Sequence, residues 1–124
     1  MLGIMELVED KNNNNFNIKK YADRTIYFSN SNYTEPIVFH HDTISSFSVH
    51  KPESITIKDL HNYISSVNLI LIGTGKKNII LSQELMKHMH RLDKGLEFMN
   101  TESACKTHNL LLSEKRSFVS ILYP

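Results

Sequence analysis

The sequence predicts a mixed α/β fold: one sheet covered by helices, antiparallel β structure in the N-terminal half and a β-α-β-α-β order in the C-terminal half. Three observations carry that expectation. Residues 16–49 are rich in β-branched and aromatic side chains, as in 25-TIYFS-29 and 33-YTEPIVFH-40. The run 68-NLILIG-73 is continuously apolar, the pattern of a strand buried on both faces. After it, strand-like runs alternate with capped amphipathic segments, and each helix must return the chain to the same end of the sheet, which implies parallel pairing by right-handed crossovers.

Taken in order, residues 1–15 end in the polar tract Asn12 to Asn15 and are expected as a flexible tail, with a single domain over 16–124. Phe16 and Ile18 alternate with polar neighbours, and 29-SNSN-32 supplies turn chemistry. Pro36 lacks an amide hydrogen, so its strand starts after it or lies at an edge. A strand or extended piece at 43–49 closes this half. Thr56 with Asp59 marks the start of a helix running to about Ser66, with Ile57, Leu60 and Ile64 on its apolar face. Residues 78–81 read as a short extended piece. Ser82 caps a second helix carrying Leu85, Met86, Met89 and Leu92, with Gly95 at the position after its end. A strand at 96–99 follows, then a third helix capped by Thr101 and running to about Glu114, then a strand at 117–123. No internal repeat is visible.

Composition narrows the function classes. At 124 residues the chain is long enough to bury a core, and 40% hydrophobic with 22% charged residues is ordinary for a globular protein. The net charge of +1 gives no footprint for nucleic acid, and Phe and Tyr are scattered rather than interleaved with Arg. One cysteine, Cys105, excludes an intrachain disulfide. The acidic start MLGIMELVED fits neither a secretory nor a mitochondrial leader, and 69-LILI-72 is too short to span a bilayer. The expectation is a cytoplasmic protein without membrane insertion. No metal site is expected: His40 and His41 are adjacent and would point to opposite strand faces, and His88 and His90 lie about 200° apart around a helix. No cofactor is expected either.

The candidate site is built on 73-GTGKK-77. A P-loop needs glycine where Ile70 stands and a hydroxyl residue where Lys77 stands; the dinucleotide fingerprint fails at Asn78. Both nucleotide readings fall, leaving a tight turn at the end of a buried strand. In a parallel sheet, however, the carboxyl ends of the strands before GTG and before 100-NTESAC-105 share one edge. The two segments should face one another beside a helix N-terminus. Gly73, Thr74, Gly75, Thr101, Ser103, Cys105 and Asn109 are therefore the candidate lining of a crevice for a small anion or carboxylate. Cys105 is expected near the first helical turn, either as a reactive thiol or as a small apolar core residue. No catalytic constellation is assigned. Glu97, expected on a buried central strand, needs a partner, for which Arg116 or Lys106 is available.

The same residues resemble the Mth938-like domain family, long labelled as a domain of unknown function. The likeness rests on Gly73, Thr74 and Gly75 after the buried strand, then Glu97, Met99, Thr101, Ala104, Cys105, Thr107, Asn109 and Leu111, with Glu114 and Arg116 before the last strand. It is dense over the C-terminal half. Asn100 stands where the family usually has Asp, His108 where it has Tyr, and a Trp common near Phe47 is absent. The resemblance implies a three-layer α/β domain with a mixed central sheet, and it implies no reaction. Family members include a mitochondrial factor for complex I assembly and a cytosolic protein linked to adipocyte differentiation; short free-standing bacterial members look like this chain. The leading expectation is a non-enzymatic binding or assembly module for a protein partner. The alternative is a small-ligand protein or enzyme using the crevice. Oligomeric state is not legible.

Overall fold

The computed structural model describes residues 15–124, so of the expected tail only Asn15 lies within it. Among the described residues, eight strands and three α-helices follow in the order β1 (Lys20–Ala22), β2 (Thr25–Tyr27), β3 (Asn32–Tyr33), β4 (Ile37–His40), β5 (Thr43–Ser46), α1 (Ile57–Ile64), β6 (Leu69–Thr74), α2 (Gln83–Arg91), β7 (Gly95–Met99), α3 (Thr101–Ser113) and β8 (Phe118–Tyr123), with a short 3-10 turn at Pro52–Ser54 before α1. β1, β2 and β3 make a small antiparallel sheet. The other five strands make a mixed sheet in the order β5-β4-β8-β6-β7. β6 runs parallel to both β7 and β8, whereas β4 is antiparallel to β8 and β5.

The molecule is therefore layered as expected. On one face of the mixed sheet Ile70, Ile72, Val119 and Ile121 meet Leu60 and Ile64 of α1 and Leu85 and Met89 of α2. On the other, Leu69, Leu71, Phe118 and Leu122 meet Ala104, Cys105 and Leu111 of α3, together with Ile26 and Phe28 next to or within the small sheet. All six residues of β6 and all six of β8 are buried, which is why both read as unbroken apolar runs.

Local chemistry explains the element ends. The Asp59 carboxylate accepts from the Thr56 N–H at 2.7 Å and its hydroxyl at 2.9 Å. The Ser82 hydroxyl accepts from Leu85 N–H. The β1–β2 and β4–β5 connections are two-residue turns with positive φ at both positions, Asp23 and Arg24 in one, His41 and Asp42 in the other. That geometry matches strand twist but normally selects Asn and Gly.

Several expectations are corrected. Asn100, not Thr101, caps α3: its side chain accepts from Ser103 N–H, and Thr101 is the first helical residue. Asp93 (φ 56), not Gly95, terminates α2, with Asp93 N–H bonding His90 O and Lys94 N–H bonding Met89 O. Gly95 starts β7 instead, where a Cβ would meet Leu69 Cδ1 at 2.8 Å. β7 is an edge strand of the mixed sheet and Glu97 is exposed, so it needs no buried partner; Arg116 lies 3.6 Å from Glu114 at the surface. Residues 78–81 are irregular, and the first strand starts at Lys20 rather than near Phe16.

Candidate functional site: the crevice beside the GTG loop

β6 leads into α2 on one face of the sheet, and β7 leads into α3 on the other. Adjacent parallel strands whose connections leave to opposite faces create a switch point, where ligands of open α/β sheets bind. GTG and Asn100–Thr101 meet there.

Contact between them is direct. Thr101 is fully buried, donates from Oγ1 to Tyr123 O at 2.6 Å and accepts from Gly75 N–H at 2.8 Å. Its own N–H donates to Gly75 O at 2.8 Å. One side chain thus ties the carboxyl ends of β6, β7 and β8. Thr74 Oγ1 donates to Lys77 O at 2.6 Å, with Met99 O 3.2 Å away, fixing the loop on itself. The two glycines have separate reasons. A Cβ at Gly73 would sit 2.9 Å from Ala104 Cβ and 3.0 Å from Thr101 Oγ1, so glycine lets α3 lie against β6. Gly75 takes φ +91°, which side chains resist.

These bonds consume most of what an anion would use. At the start of α3, Thr101 N–H is bonded to Gly75 O, Ser103 N–H to Asn100 Oδ1 and Ala104 N–H to Asn100 O. Cys105 faces inward, 7% exposed, and burial, with Glu102 nearby, pushes its thiol up to about 12. It is held protonated, the opposite of an activated nucleophile. The Asn109 side chain is a clamp: Oδ1 accepts from Ile18 N–H at 2.8 Å and Nδ2 donates to Ile18 O at 2.9 Å.

Open space lies just outside these bonds. A cavity of about 450 Å³ is bounded by Gly75, Lys76, Asn100, Glu102 and Ser103 on one side and by Tyr21, Ala22 and Asp23 on the other. A second, about 370 Å³, shares the Tyr21 and Glu102 walls and is bounded also by Ile18, Lys19, Lys20, Cys105, Lys106 and Asn109. Of the expected lining, Gly75, Ser103, Cys105 and Asn109 reach these hollows, whereas Gly73, Thr74 and Thr101 form the bonded floor behind. The strand β1 wall was missed. Its signal was the turn 22-ADRT-25, which closes a hairpin without any glycine.

His108, which stands where the family has Tyr, has a structural role. It is fully buried among Phe28, Phe39 and Phe118. Nε2 must donate to Phe16 O at 2.9 Å because a carbonyl only accepts. Nδ1 is then the acceptor for the Ser120 hydroxyl at 2.8 Å. Burial lowers its pKa to about 4. The residue is a neutral tether for the segment before β1.

Comparison with known proteins agrees with this architecture. Residues 18–123 match the family described as "Protein of unknown function (DUF498/DUF598)". The chain belongs to that family. It is 28% identical over 122 residues to the "13 kDa major membrane protein" of Francisella tularensis, covering 96% of this chain and 99% of that one. It is 24% identical over 110 residues to "NADH dehydrogenase [ubiquinone] 1 alpha subcomplex assembly factor 3" of Xenopus tropicalis, covering 86% of this chain and 60% of that protein. A Mth938-like domain from Bordetella pertussis superposes with TM-score 0.71 at 22% identity, over 91% of this chain and 87% of that one. A Xanthomonas campestris protein superposes with TM-score 0.78 at 18% identity, over 86% and 82%. The fold is Mth938-like. No helix among the described residues is long and apolar enough to cross a membrane.

Proposed function

We propose that the protein is a non-enzymatic binding or assembly module that engages a protein partner from the cytoplasm. The observation that carries this reading is the state of the crevice. The Thr74 and Thr101 hydroxyls are committed to backbone atoms and the Cys105 thiol is kept neutral, so the site retains groups that bind but none that is activated to react. The assembly-factor name of the Xenopus relative supports it. A small anionic ligand is the second reading, favoured by the 450 Å³ cavity with Lys76, Asn100 and Ser103 on its wall.

Native mass spectrometry of tagged protein gently isolated from its own cells separates the two. A second polypeptide at fixed stoichiometry is the expected result. A discrete mass excess of small-molecule size, lost in a Ser103→Trp variant, would replace the module with a ligand-binding protein. Fractionation of the same cells tests location: recovery only with the membrane pellet overturns the cytoplasmic assignment.

A further inference from the structure

We propose that the free edge of β7 takes an extended segment of a protein partner as an added antiparallel strand, with a basic residue of that segment opposite Glu97 and an apolar residue on either side of it. This deepens the partner-binding reading and rests on it.

β7 ends the mixed sheet and pairs with β6 alone. Gly95 N–H donates to Asn68 O, and Leu69 lies opposite Gly95. In a parallel ladder the N–H and C=O of one residue point to the same side, and those of the next residue point to the other. Gly95, Glu97 and Met99 therefore bond to β6, whereas Leu96 and Phe98 turn their backbone groups outward. None of these four outward groups has a hydrogen-bond partner among the described residues. Glu97 is exposed and Leu96 and Phe98 are half-buried, so the edge is open to solvent. Such an edge is a template for another chain, in which main-chain bonds give affinity and alternate side chains give specificity.

The side chains choose the occupant. Leu96 and Phe98 pack on the face that carries α1 and α2, with Leu92, 44% exposed, just before the turn into β7. Glu97 points to the opposite face. It makes no ion pair among the described residues, and the nearby Lys94 ammonium is given to Val67 O at 2.9 Å. An antiparallel segment places apolar residues against Leu96 and Phe98 in hydrogen-bonded pairs. Its residue opposite Glu97 then falls in a non-hydrogen-bonded pair, where facing side chains lie closest and an opposite charge stabilises.

The same carboxylate disfavours a second copy of the chain. The two-fold register that uses Leu96 and Phe98 of both copies sets Leu96 against Phe98, and so Glu97 directly against Glu97, a destabilising like-charge pair. A slide of two residues sets one of them against Lys94 or Asn100 instead. There the Lys94 N–H is already given to Met89 O, and the Asn100 carbonyl already accepts from Ala104 N–H. The other edge of this sheet, β5, exposes Thr43, Ser45 and Ser46 and offers no comparable apolar pair.

The test titrates capped peptides of about seven residues, with a Val-Lys-Val, Val-Gln-Val or Val-Glu-Val centre, into isotope-labelled full-length chain. The Lys peptide should bind tightest, shift the amides of 94–99 and slow solvent exchange of the Leu96 and Phe98 amides. N-methylation of both valines should abolish binding. Glu97→Lys, at an exposed position, should weaken the Lys peptide at least tenfold and make the Glu peptide the tightest. Equal binding of the three peptides, binding that survives N-methylation, shifts elsewhere or no shift at all overturns the proposal. So does a dimer of the chain alone in which the Leu96 and Phe98 amides are already protected, because the edge then belongs to a second copy. In extracts of its own cells, a polypeptide retained by wild type and lost from Glu97→Lys is the expected result. A polypeptide retained equally by both overturns the proposal while sparing the partner-binding reading. The absence of any polypeptide from both defeats that reading and this proposal together.

Discussion

Thr101 concentrates three interactions that no other residue type could supply together. Its backbone fits the first turn of α3, its hydroxyl both donates and accepts, and its methyl group fills space. Thr101→Val keeps the shape but strands Gly75 N–H and Tyr123 O; urea denaturation should show a loss of about 2–4 kcal/mol. Gly73→Ala should cost about 1–3 kcal/mol, because the added Cβ lands against Ala104 and Thr101 rather than against a flexible side-chain end. Cys105 tests the non-enzymatic reading directly. With its thiol raised to about 12, alkylation of the folded protein at pH 8 should be far slower than in denaturant. Rapid folded-state reaction with a midpoint near the ordinary thiol range would restore a reactive cysteine.

Elements show how far sequence could reach. β6, the Asp59 and Ser82 helix starts and the crossover order were legible because they rest on local patterns: a continuous apolar run, cap residues, alternating element types. What escaped depended on distant partners. Asn100 and Thr101 are both good caps, and only the burial of Thr101 under β8 decides between them. Glu97 looked buried because periodicity reveals which faces are apolar and not which strand lies at the sheet edge. Asn109 meets Ile18 across 91 positions of sequence, so its clamp had no local trace. The GTG loop and the start of α3 do meet, but Thr74 and Thr101 fasten them together rather than line the hollows outside. The glycine-free turns store strain that can be relieved. Asp42→Gly, at φ 57, should stabilise the β4–β5 hairpin by about 1 kcal/mol, read as a rise in Tm.

For the whole molecule, acid is the informative variable. His108 is neutral in the folded protein, with a pKa near 4, whereas the unfolded chain takes up a proton below about 6.5. Protons therefore favour the unfolded state in that window. The contribution is fully present above pH 6.5 and falls by about 3 kcal/mol as pH drops towards 4. An NMR titration should find the His108 ring unprotonated at pH 5; protonation near 6.5 would show that the ring is not sealed in. The same architecture has a consequence for how the chain is made. β8 lies between β4 and β6 in the sheet yet follows every other strand in sequence. A ribosome that has released residues 15–116 has produced two half-sheets whose facing edges have nothing to bind, apart from each other or a neighbouring nascent chain. The keystone comes after the other described strands, so this sheet must stay unassembled until residues 118–123 have emerged and then close in one step, dependent until then on whatever shields open strand edges in its cell.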